Sequence, residues 1–207
     1  MITSRNSEEI SVKMRSLTQQ GLGERLEQER ARRFVGRADE LELIRRRLVE
    51  SRSESGEADL FGALWVHGPG GIGKSTLLAA YARAASAGCA VAEVDCGRIM
   101  PSPDSIRTAM NDSLISSGGR NVQPCLIIID SAERLGPAEN WLREEFLPAL
   151  PGHVVAVIAS RRPPDAAWLS DPGWRDILRV ILLGNLPQKT SAPCSRWRAS
   201  VWICWTR

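Results

Sequence analysis

The segment with the clearest chemistry is a glycine-rich turn that follows an apolar run and precedes a helical pattern. Its glycines let consecutive main-chain N–H groups approach phosphate oxygens, and the helix after it directs its positive end at the same anion. Lys74 adds a charge for the β- and γ-phosphates, and the Ser75 hydroxyl is a ligand for Mg²⁺. The turn fits the pattern G-x-x-x-x-G-K-[ST] and predicts a nucleoside triphosphate site. Its residues are Gly68, Pro69, Gly70, Gly71, Ile72, Gly73, Lys74, Ser75 and Thr76.

A second candidate is the acid that ends the apolar run 125–130. Asp130 follows three consecutive isoleucines, as expected of a strand covered on both faces. A carboxylate at the carboxyl end of a parallel strand, next to a phosphate-binding loop, can hold Mg²⁺ directly or through water. The sequence therefore predicts that Asp130 and Ser75 bind the metal together.

The residue that would activate the attacking water is marked less clearly. Ser131 follows Asp130, and the next acid along the chain is Glu133. Glu133 either acts as the general base or points to solvent without a part in the reaction. The sequence leaves both alternatives open, and with them the choice between hydrolysis and binding alone.

Five apolar runs alternate with helical patterns along the chain. This alternation predicts an α/β fold with a mainly parallel, five-stranded sheet between two layers of helices. A ligand would then lie beyond the carboxyl ends of the strands. The strands are predicted at 63–67, 90–95, 125–130, 153–159 and 177–183, and the main helices at 76–86, 103–115 and 137–147.

Composition and charge argue against several other functions. The net charge of +3 over 207 residues is too weak to indicate nucleic-acid binding. No apolar run reaches the roughly 18 residues of a membrane span, and residues 1–6 lack the apolar core of a signal peptide, so a cytoplasmic location is predicted. The five cysteines are odd in number and lack C-x-x-C spacing. They are predicted to be reduced thiols packed mostly in the core, rather than disulfides or metal ligands.

A short box upstream of the turn carries a family resemblance. Its residues are Phe34, Val35, Gly36 and Arg37, followed by Glu40. With the turn and Asp130, the chain resembles the STAND and origin-recognition branch of the AAA-type P-loop ATPases. The resemblance implies that the four residues of the box flank adenine, that ATP is bound in preference to GTP, and that the strand order is 5-1-4-3-2.

The same resemblance covers the end of the fourth strand and the segment after it. It implies that Ser160 or Arg161 reads the γ-phosphate, whereas the alternative is an ordinary basic loop. The pattern Trp-x-x-Asp-Pro-Gly-Trp at 168–174 also recurs in bacterial ATP-binding regulators that the chain resembles. Its two tryptophans are predicted to anchor a surface loop and short helix.

The chain divides into three parts on this interpretation. A polar helical arm covers 1–33, the nucleotide-binding domain covers 34–186, and a tail rich in Trp and Cys covers 187–207. The tail departs from the family pattern, in which a helical lid follows. It is explained either by an altered reading frame or truncated gene, or by a short tail that packs on the sheet.

The leading functional hypothesis is an Mg·ATP-binding domain that acts as a regulatory switch and hydrolyses ATP slowly. Lys74, Glu133 and Arg161 would be its catalytic residues. The alternative is a non-hydrolysing nucleotide-binding module that presents a surface to a protein partner or to a second copy. DNA binding, as in the origin-recognition relatives, is a third hypothesis, which the modest charge and the lack of a winged helix disfavour.

Overall fold

The computed structural model describes residues 21–23, 25–26, 36–51, 61–86, 89–116 and 124–185. The predicted arm 1–33 therefore lies almost wholly outside the described residues, and the predicted tail 187–207 lies entirely outside them. Within the described ranges, no helix is long and apolar enough to span a membrane.

The main elements alternate between strand and helix. In chain order they are α1 (Ala38–Glu50), β1 (Ala63–His67), α2 (Lys74–Ser86), β2 (Ala90–Asp95), α3 (Pro103–Ser116), β3 (Pro124–Asp130), a 3₁₀ turn (Ala132–Arg134), α4 (Ala138–Trp141), a π-helical turn (Leu142–Phe146), β4 (Val155–Ser160), α5 (Ala166–Ser170), α6 (Pro172–Ile177) and β5 (Leu178–Leu182).

The five strands form one parallel sheet in the order β2-β3-β4-β1-β5. Read from the other edge, this is the predicted order 5-1-4-3-2. Because the strands are all parallel, the loops after β1, β3 and β4 leave the same edge of the sheet, and because β4 lies between β1 and β3 they leave it side by side. The predicted three-layer α/β fold is confirmed.

The two faces of the sheet are covered by different helices, because side chains alternate along each strand. Leu64 and Val66 of β1 pack in one core cluster with side chains of α1 and α2. Trp65, between them, packs on the opposite face with side chains of α3, α4, α5 and α6. Burial of each such apolar side chain stabilises the fold by about 1.5–3 kcal/mol.

Element boundaries differ from the sequence predictions by one residue at several ends and by more at three places. Helix α2 begins at Lys74 rather than at Thr76, so the lysine and serine of the turn belong to its first turn. The helix predicted over 137–147 is α-helical only over Ala138–Trp141, after which Leu147 N–H bonds five residues back to the Leu142 carbonyl. Strand β4 begins at Val155 because the preceding residue closes a turn.

The aromatic segment after β4 contains two short helices in place of the predicted loop and single helix. Trp168 of α5 is fully buried between Trp65 and Trp174, with ring centroids 5.4 and 4.9 Å away. Its indole N–H donates to Glu139 Oε1 at 2.9 Å. The prediction that these tryptophans anchor the segment is therefore confirmed.

The prediction of reduced cysteines is wrong for one pair. Cys89 and Cys125 form a disulfide, with Cα atoms 5.7 Å apart, while Cys96 is free and buried as predicted. The pairing arises because β2 and β3 are neighbours whose register shifts at Ala90 and Val91. This irregularity places Cys125 in the same core cluster as Leu126, on the face where Cys89 lies. Cys194 and Cys204 are outside the described residues.

Candidate functional site

The glycine-rich turn connects the carboxyl end of β1 to the first residue of α2. Gly73 has a φ of 100°, which only glycine adopts at little conformational cost. At Gly68, a Cβ atom would lie 2.7 Å from the Leu183 carbonyl oxygen, so a larger residue would require the backbone to shift. Lys74 Nζ donates to the carbonyl oxygens of Gly68 at 2.8 Å and Pro69 at 3.0 Å. The ammonium group is thus folded over the turn from which it extends.

The serine of the turn meets the acid at the end of β3. Ser75 Oγ donates to Asp130 Oδ2 at 2.6 Å, although 55 residues separate them in sequence. The other carboxylate oxygen of Asp130 accepts a hydrogen bond from Ser131 N–H at 2.7 Å. The sheet therefore brings together the two oxygen donors that the sequence assigned to Mg²⁺.

The chain bends sharply after Asp130. Ser131 has a φ of 57°, a left-handed conformation that is uncommon for a residue with a Cβ and often marks a functional site. The 3₁₀ turn that follows carries Glu133, which accepts a hydrogen bond from Arg161 N–H at 3.0 Å. Arg161 Nε also lies 3.1 Å from the second carboxylate oxygen of Glu133.

These side chains surround a cavity of about 290 Å³ at the carboxyl ends of the strands. This volume is at the lower end of the range for ligand pockets, about 300–1,000 Å³. The lining residues are mainly glycine or polar and come from the turn, β3 and the loop after β4. They are Gly70, Gly71, Gly73, Lys74, Ser75, Thr76, Asp130, Ser131, Glu133 and Arg161.

The remaining predicted turn residues support the cavity without lining it. Gly68 and Pro69 supply the carbonyl groups that hold Lys74. Ile72 packs at the edge of the core cluster shared by α1 and α2. Of the two candidates after β4, Arg161 lines the cavity, whereas Ser160 is buried and its Oγ accepts a hydrogen bond from Arg162 N–H.

The box predicted to flank adenine is described only in part, because Phe34 and Val35 lie outside the described residues. Gly36 has a φ of 84°, and Arg37 is the next residue. The Arg37 guanidinium lies 3.1 Å from Glu40 Oε1 and donates to the Gly184 carbonyl at 2.6 Å. Since Leu183, the residue before Gly184, donates its N–H to the His67 carbonyl at 2.7 Å, Arg37 is close to the start of the turn.

Burial and nearby charge change the pKa of two groups close to the cavity. The pKa of His67 is lowered, first by burial and then by the charge of Lys74, which favours a neutral imidazole. Burial raises the pKa of Cys96 to about 12, and the negative charges of Asp95, Asp130 and Glu133 contribute in the same direction. The Cys96 thiol is therefore protonated at neutral pH.

Two residues near the site were not predicted from the sequence. Asp95 lies opposite Asp130 in the register of β2 and β3, and its Oδ1 accepts a hydrogen bond from Gly97 N–H at 2.8 Å. Arg162 donates to the Glu133 carbonyl oxygen at 3.1 Å. The two consecutive arginines after β4 are visible in the sequence. Nothing in the sequence indicates that Arg161 contacts the Glu133 carboxylate and Arg162 its main-chain carbonyl.

One family model matches the chain. Residues 33–117 match the model of the AAA ATPase domain, a segment that contains the turn and ends before β3. Over this segment the chain is similar to nucleotide-binding AAA-type ATPases. Asp130, Glu133 and Arg161 lie outside the match, so their roles remain predictions.

Several solved structures resemble the chain. PCH-2 from C. elegans is 16% identical with a TM-score of 0.46, over 70% of this chain and 41% of that protein. Cdc6p from Pyrobaculum aerophilum is 16% identical with a TM-score of 0.48, over 73% of this chain and 46% of that protein. A DNA replication initiation factor is 17% identical with a TM-score of 0.44, over 73% and 48%. The chain thus spans less than half of each of these proteins. No curated protein sequence matches it.

Proposed function

We propose that the cavity binds ATP with Mg²⁺ and that the domain hydrolyses the nucleotide slowly, as a nucleotide-dependent regulatory switch. The observation that carries this proposal is the convergence of three groups on one cavity. These are Lys74, the Ser75–Asp130 pair and Glu133. They supply a cation for the phosphates, oxygen ligands for the metal and a carboxylate for the attacking water.

The phosphates would be held by the turn and by the first residues of α2. The main-chain N–H groups at the start of this 13-residue helix have no partner within the helix and suit an anion. Lys74 Nζ is bound by two carbonyl oxygens of the turn itself. It can exchange these neutral acceptors for charged phosphate oxygens, which form stronger hydrogen bonds.

Mg²⁺ fits the donors present at Ser75 and Asp130. Both offer hard oxygen atoms, and the atoms already lie 2.6 Å apart. The part of the chain that the structure describes holds no cluster of three or more His, Cys, Asp or Glu suited to a metal ion. Mg²⁺ bound with a nucleotide does not need one, because phosphates and water complete its six ligands. When bound, the ion would neutralise charge on the phosphates.

Glu133 is the proposed general base. A water oxygen attacks the γ-phosphorus, the bond from that phosphorus to the β–γ bridging oxygen breaks, and Glu133 accepts the water's proton. Arg161 would contact the γ-phosphate, since it lies against the phosphate-binding turn. Its guanidinium carbon is 3.7 Å from the point that a Cβ atom would occupy if residue 70 were not glycine. A phosphate that attracts Arg161 would also release the Glu133 carboxylate from its ion pair.

Adenine would be flanked by the box Phe34, Val35, Gly36 and Arg37, which gives the preference for ATP. The contact of Arg37 with Gly184, next to the start of the turn, supports this placement. The switch role would involve a protein partner or self-association, as in the STAND group. Direct DNA binding by this chain is not part of the proposal.

A second candidate function is nucleotide binding without hydrolysis. The observation that favours it is the pairing of both Glu133 carboxylate oxygens with Arg161, which leaves the carboxylate engaged rather than free to accept a proton. In that case ATP would order the domain and present a surface to a partner, with no turnover.

Phosphate release from Mg·ATP distinguishes these functions. The variants are Lys74→Ala and Glu133→Gln, with Glu144→Gln as a control because Glu144 is exposed and outside the cavity. We expect Lys74→Ala to lose nucleotide binding and turnover. Glu133→Gln should bind ATP but hydrolyse it at least about 100-fold more slowly than the wild type, as expected for the loss of a general base. Glu144→Gln should match the wild type.

Two results would contradict the proposal in different ways. A wild type that binds ATP but releases no more phosphate than Lys74→Ala would leave only the binding module. A wild type whose melting temperature does not rise with Mg·ATP would exclude both functions, because a ligand that binds the folded state must stabilise it.

A further inference from the structure

The 3₁₀ turn that carries Glu133 is held at two different points by two adjacent arginines. Arg161 contacts the carboxylate at two points, through its main-chain N–H at 3.0 Å and through its side-chain Nε at 3.1 Å. Arg162 instead donates from Nη2 to the main-chain carbonyl oxygen of Glu133 at 3.1 Å. One arginine therefore engages the side chain of Glu133, and the other fixes the backbone from which that side chain extends.

The backbone of Arg162 is attached to the core of the domain. Its N–H donates to Ser160 Oγ at 3.1 Å, and its carbonyl oxygen accepts from Trp65 Nε1 at 3.1 Å. Ser160 and Trp65 are both buried, and Trp65 packs edge-on against Trp168. The position of the Arg162 backbone is thus set by β1 and β4, the two strands that lie side by side below the cavity.

We propose that Arg162 is the positioning residue for Glu133 in the reaction assigned above, an inference that rests on the proposed hydrolysis. The 3₁₀ turn has only three residues and begins after a left-handed Ser131. Two main-chain hydrogen bonds close it, from Arg134 N–H to the Ser131 carbonyl and from Leu135 N–H to the Ala132 carbonyl, and the side chains of Ala132 and Leu135 are buried, whereas Glu133 itself projects toward the cavity. The contact from Arg162 ties the 3₁₀ turn to β1 and β4, and so sets where the Glu133 carboxylate lies relative to the phosphate-binding turn.

The two arginines differ in whether their contact can persist during the reaction. The Arg161 side chain is 68% exposed and competes for the same carboxylate oxygens that a water molecule would need. The Arg162 contact uses a main-chain oxygen, so it remains when the carboxylate turns toward water. A phosphate can therefore release the Arg161 guanidinium, whereas the bond from the Arg161 main-chain N–H and the contact from Arg162 can both remain.

The test is a double-mutant cycle on the full chain, with Arg162→Gln, Glu133→Gln and both together. Arg175→Gln is the matched control, because Arg175 is also exposed and also donates to a main-chain carbonyl, that of Leu169, away from the cavity. Arg162→Lys tests rescue, since lysine can donate one hydrogen bond to the Glu133 carbonyl. The measurements are kcat and KM for phosphate release, and the Kd for Mg·ATP.

We expect Arg162→Gln to lower kcat by roughly 10- to 100-fold, the effect of misplacing a reacting group by about 1 Å. Its Kd for Mg·ATP should stay within about twofold of the wild type, because Arg162 does not line the cavity. In the Glu133→Gln background the same change should have almost no further effect, because residues that act as a unit are not additive. Arg162→Lys should recover most of kcat, and Arg175→Gln should match the wild type.

The possible failures are distinguishable. If the wild type turns over and Arg162→Gln does too, at the same rate, then Arg162 has no positioning role although hydrolysis stands. If the fold-reductions in kcat of the two single variants multiply in the double variant, or if Kd rises as kcat falls, Arg162 supports the fold generally and the proposal is wrong. A wild type with no turnover above Lys74→Ala removes hydrolysis itself, and the positioning role with it.

Discussion

The two ends of the sheet carry cavities of the same size and opposite chemistry. The cavity at the carboxyl ends and a second one at the amino ends each measure about 290 Å³. The first is lined by glycines, charged side chains and hydroxyl groups. The second lies between α1, α2 and the disulfide and is lined mainly by apolar groups, the residues being Arg45, Leu48, Val49, Ala84, Ala85, Cys89 and Cys125.

The difference lies in what the polar groups at each end are bonded to. At the amino ends, the sulfur atoms of Cys89 and Cys125, which line the cavity, are bonded to each other, and Arg47, buried on α1 outside the lining, donates to the Phe61 carbonyl at 2.6 Å. At the carboxyl ends, Lys74 is bonded to carbonyl oxygens of the turn, Asp130 to Ser75 and Glu133 to Arg161, and a charged ligand can replace these contacts. The size of a cavity therefore says little about function, whereas the exchangeable partners of its polar groups say much.

The largest expected effect is at the amino ends and concerns stability alone. Reducing the Cys89–Cys125 disulfide opens a loop of 36 residues, which in the chain-entropy treatment lowers the free energy of unfolding by about 3–4 kcal/mol. Thermal melting with and without dithiothreitol would measure a fall of about 10 °C for a chain of this size. The affinity for Mg·ATP, measured at a temperature where both forms are folded, should not change.

A double variant with Cys89→Ser and Cys125→Ser provides the control, because its melting temperature should not respond to the reductant. A large loss of nucleotide affinity on reduction would contradict the separation of the two ends.

The second prediction compares two acids that end neighbouring strands at the carboxyl end. Asp130→Asn should weaken ATP binding in Mg²⁺ by roughly 10- to 100-fold, the loss expected for a charge-assisted contact, with little change in the absence of Mg²⁺. Asp95→Asn should have a small effect, because Asp95 does not line the cavity. Titration of a fluorescent ATP analogue would measure the affinity of both variants. Equal losses of affinity would show that Asp130 has no special part in binding Mg·ATP.

The third prediction uses two glycines that flank β1. A Cβ at Gly68 would lie 2.7 Å from a main-chain oxygen, whereas a Cβ at Gly62 meets nothing within 4 Å. Gly68→Ala should therefore lower the free energy of unfolding by about 1–3 kcal/mol and weaken ATP binding, as overpacking does. Gly62→Ala should leave both unchanged. Urea unfolding would check the first quantity, and a stable Gly68→Ala protein with full affinity would refute the expectation.

The smallest effect concerns pH and His67. Its pKa is lower in the folded protein than in the unfolded chain, so below pH about 6.5 the unfolded chain binds the extra proton first. The stability contributed by the neutral imidazole is present above that pH and is lost as the pH falls toward the folded pKa.

Melting curves from pH 7.5 to pH 5 should show this loss in the wild type. His67→Gln should reduce the slope, and substitution of the exposed His153 should preserve it. A slope that is unaffected by His67→Gln would assign the pH dependence to other groups.

The sequence could predict the parts of the site whose functional groups come from residues that are adjacent in the chain. Gly73, Lys74 and Ser75 are adjacent, and Asp130 directly follows its own strand, so pattern and position agreed. The fold followed from the alternation of apolar runs and helices, because parallel strands need a crossover between them.

The parts that could not be predicted depend on pairings across the fold. The contact of Glu133 with Arg162 spans 29 residues, and the disulfide spans 36. The register shift that turns Cys125 toward Cys89 changes no sequence pattern, because an apolar run is equally apolar with one residue inserted. The left-handed conformation of Ser131 was also hidden, since serine has no preference for it.

The hydrogen bond between Arg37 and Gly184 joins residues 147 positions apart. It places the entrance to α1 and the exit from β5 at one corner of the domain. A domain with neighbouring entry and exit points can be grafted into a surface loop of a host protein, or circularly permuted with a short linker, without distorting its core. The predicted nucleotide-binding domain, 34–186, is therefore expected to tolerate such a transfer.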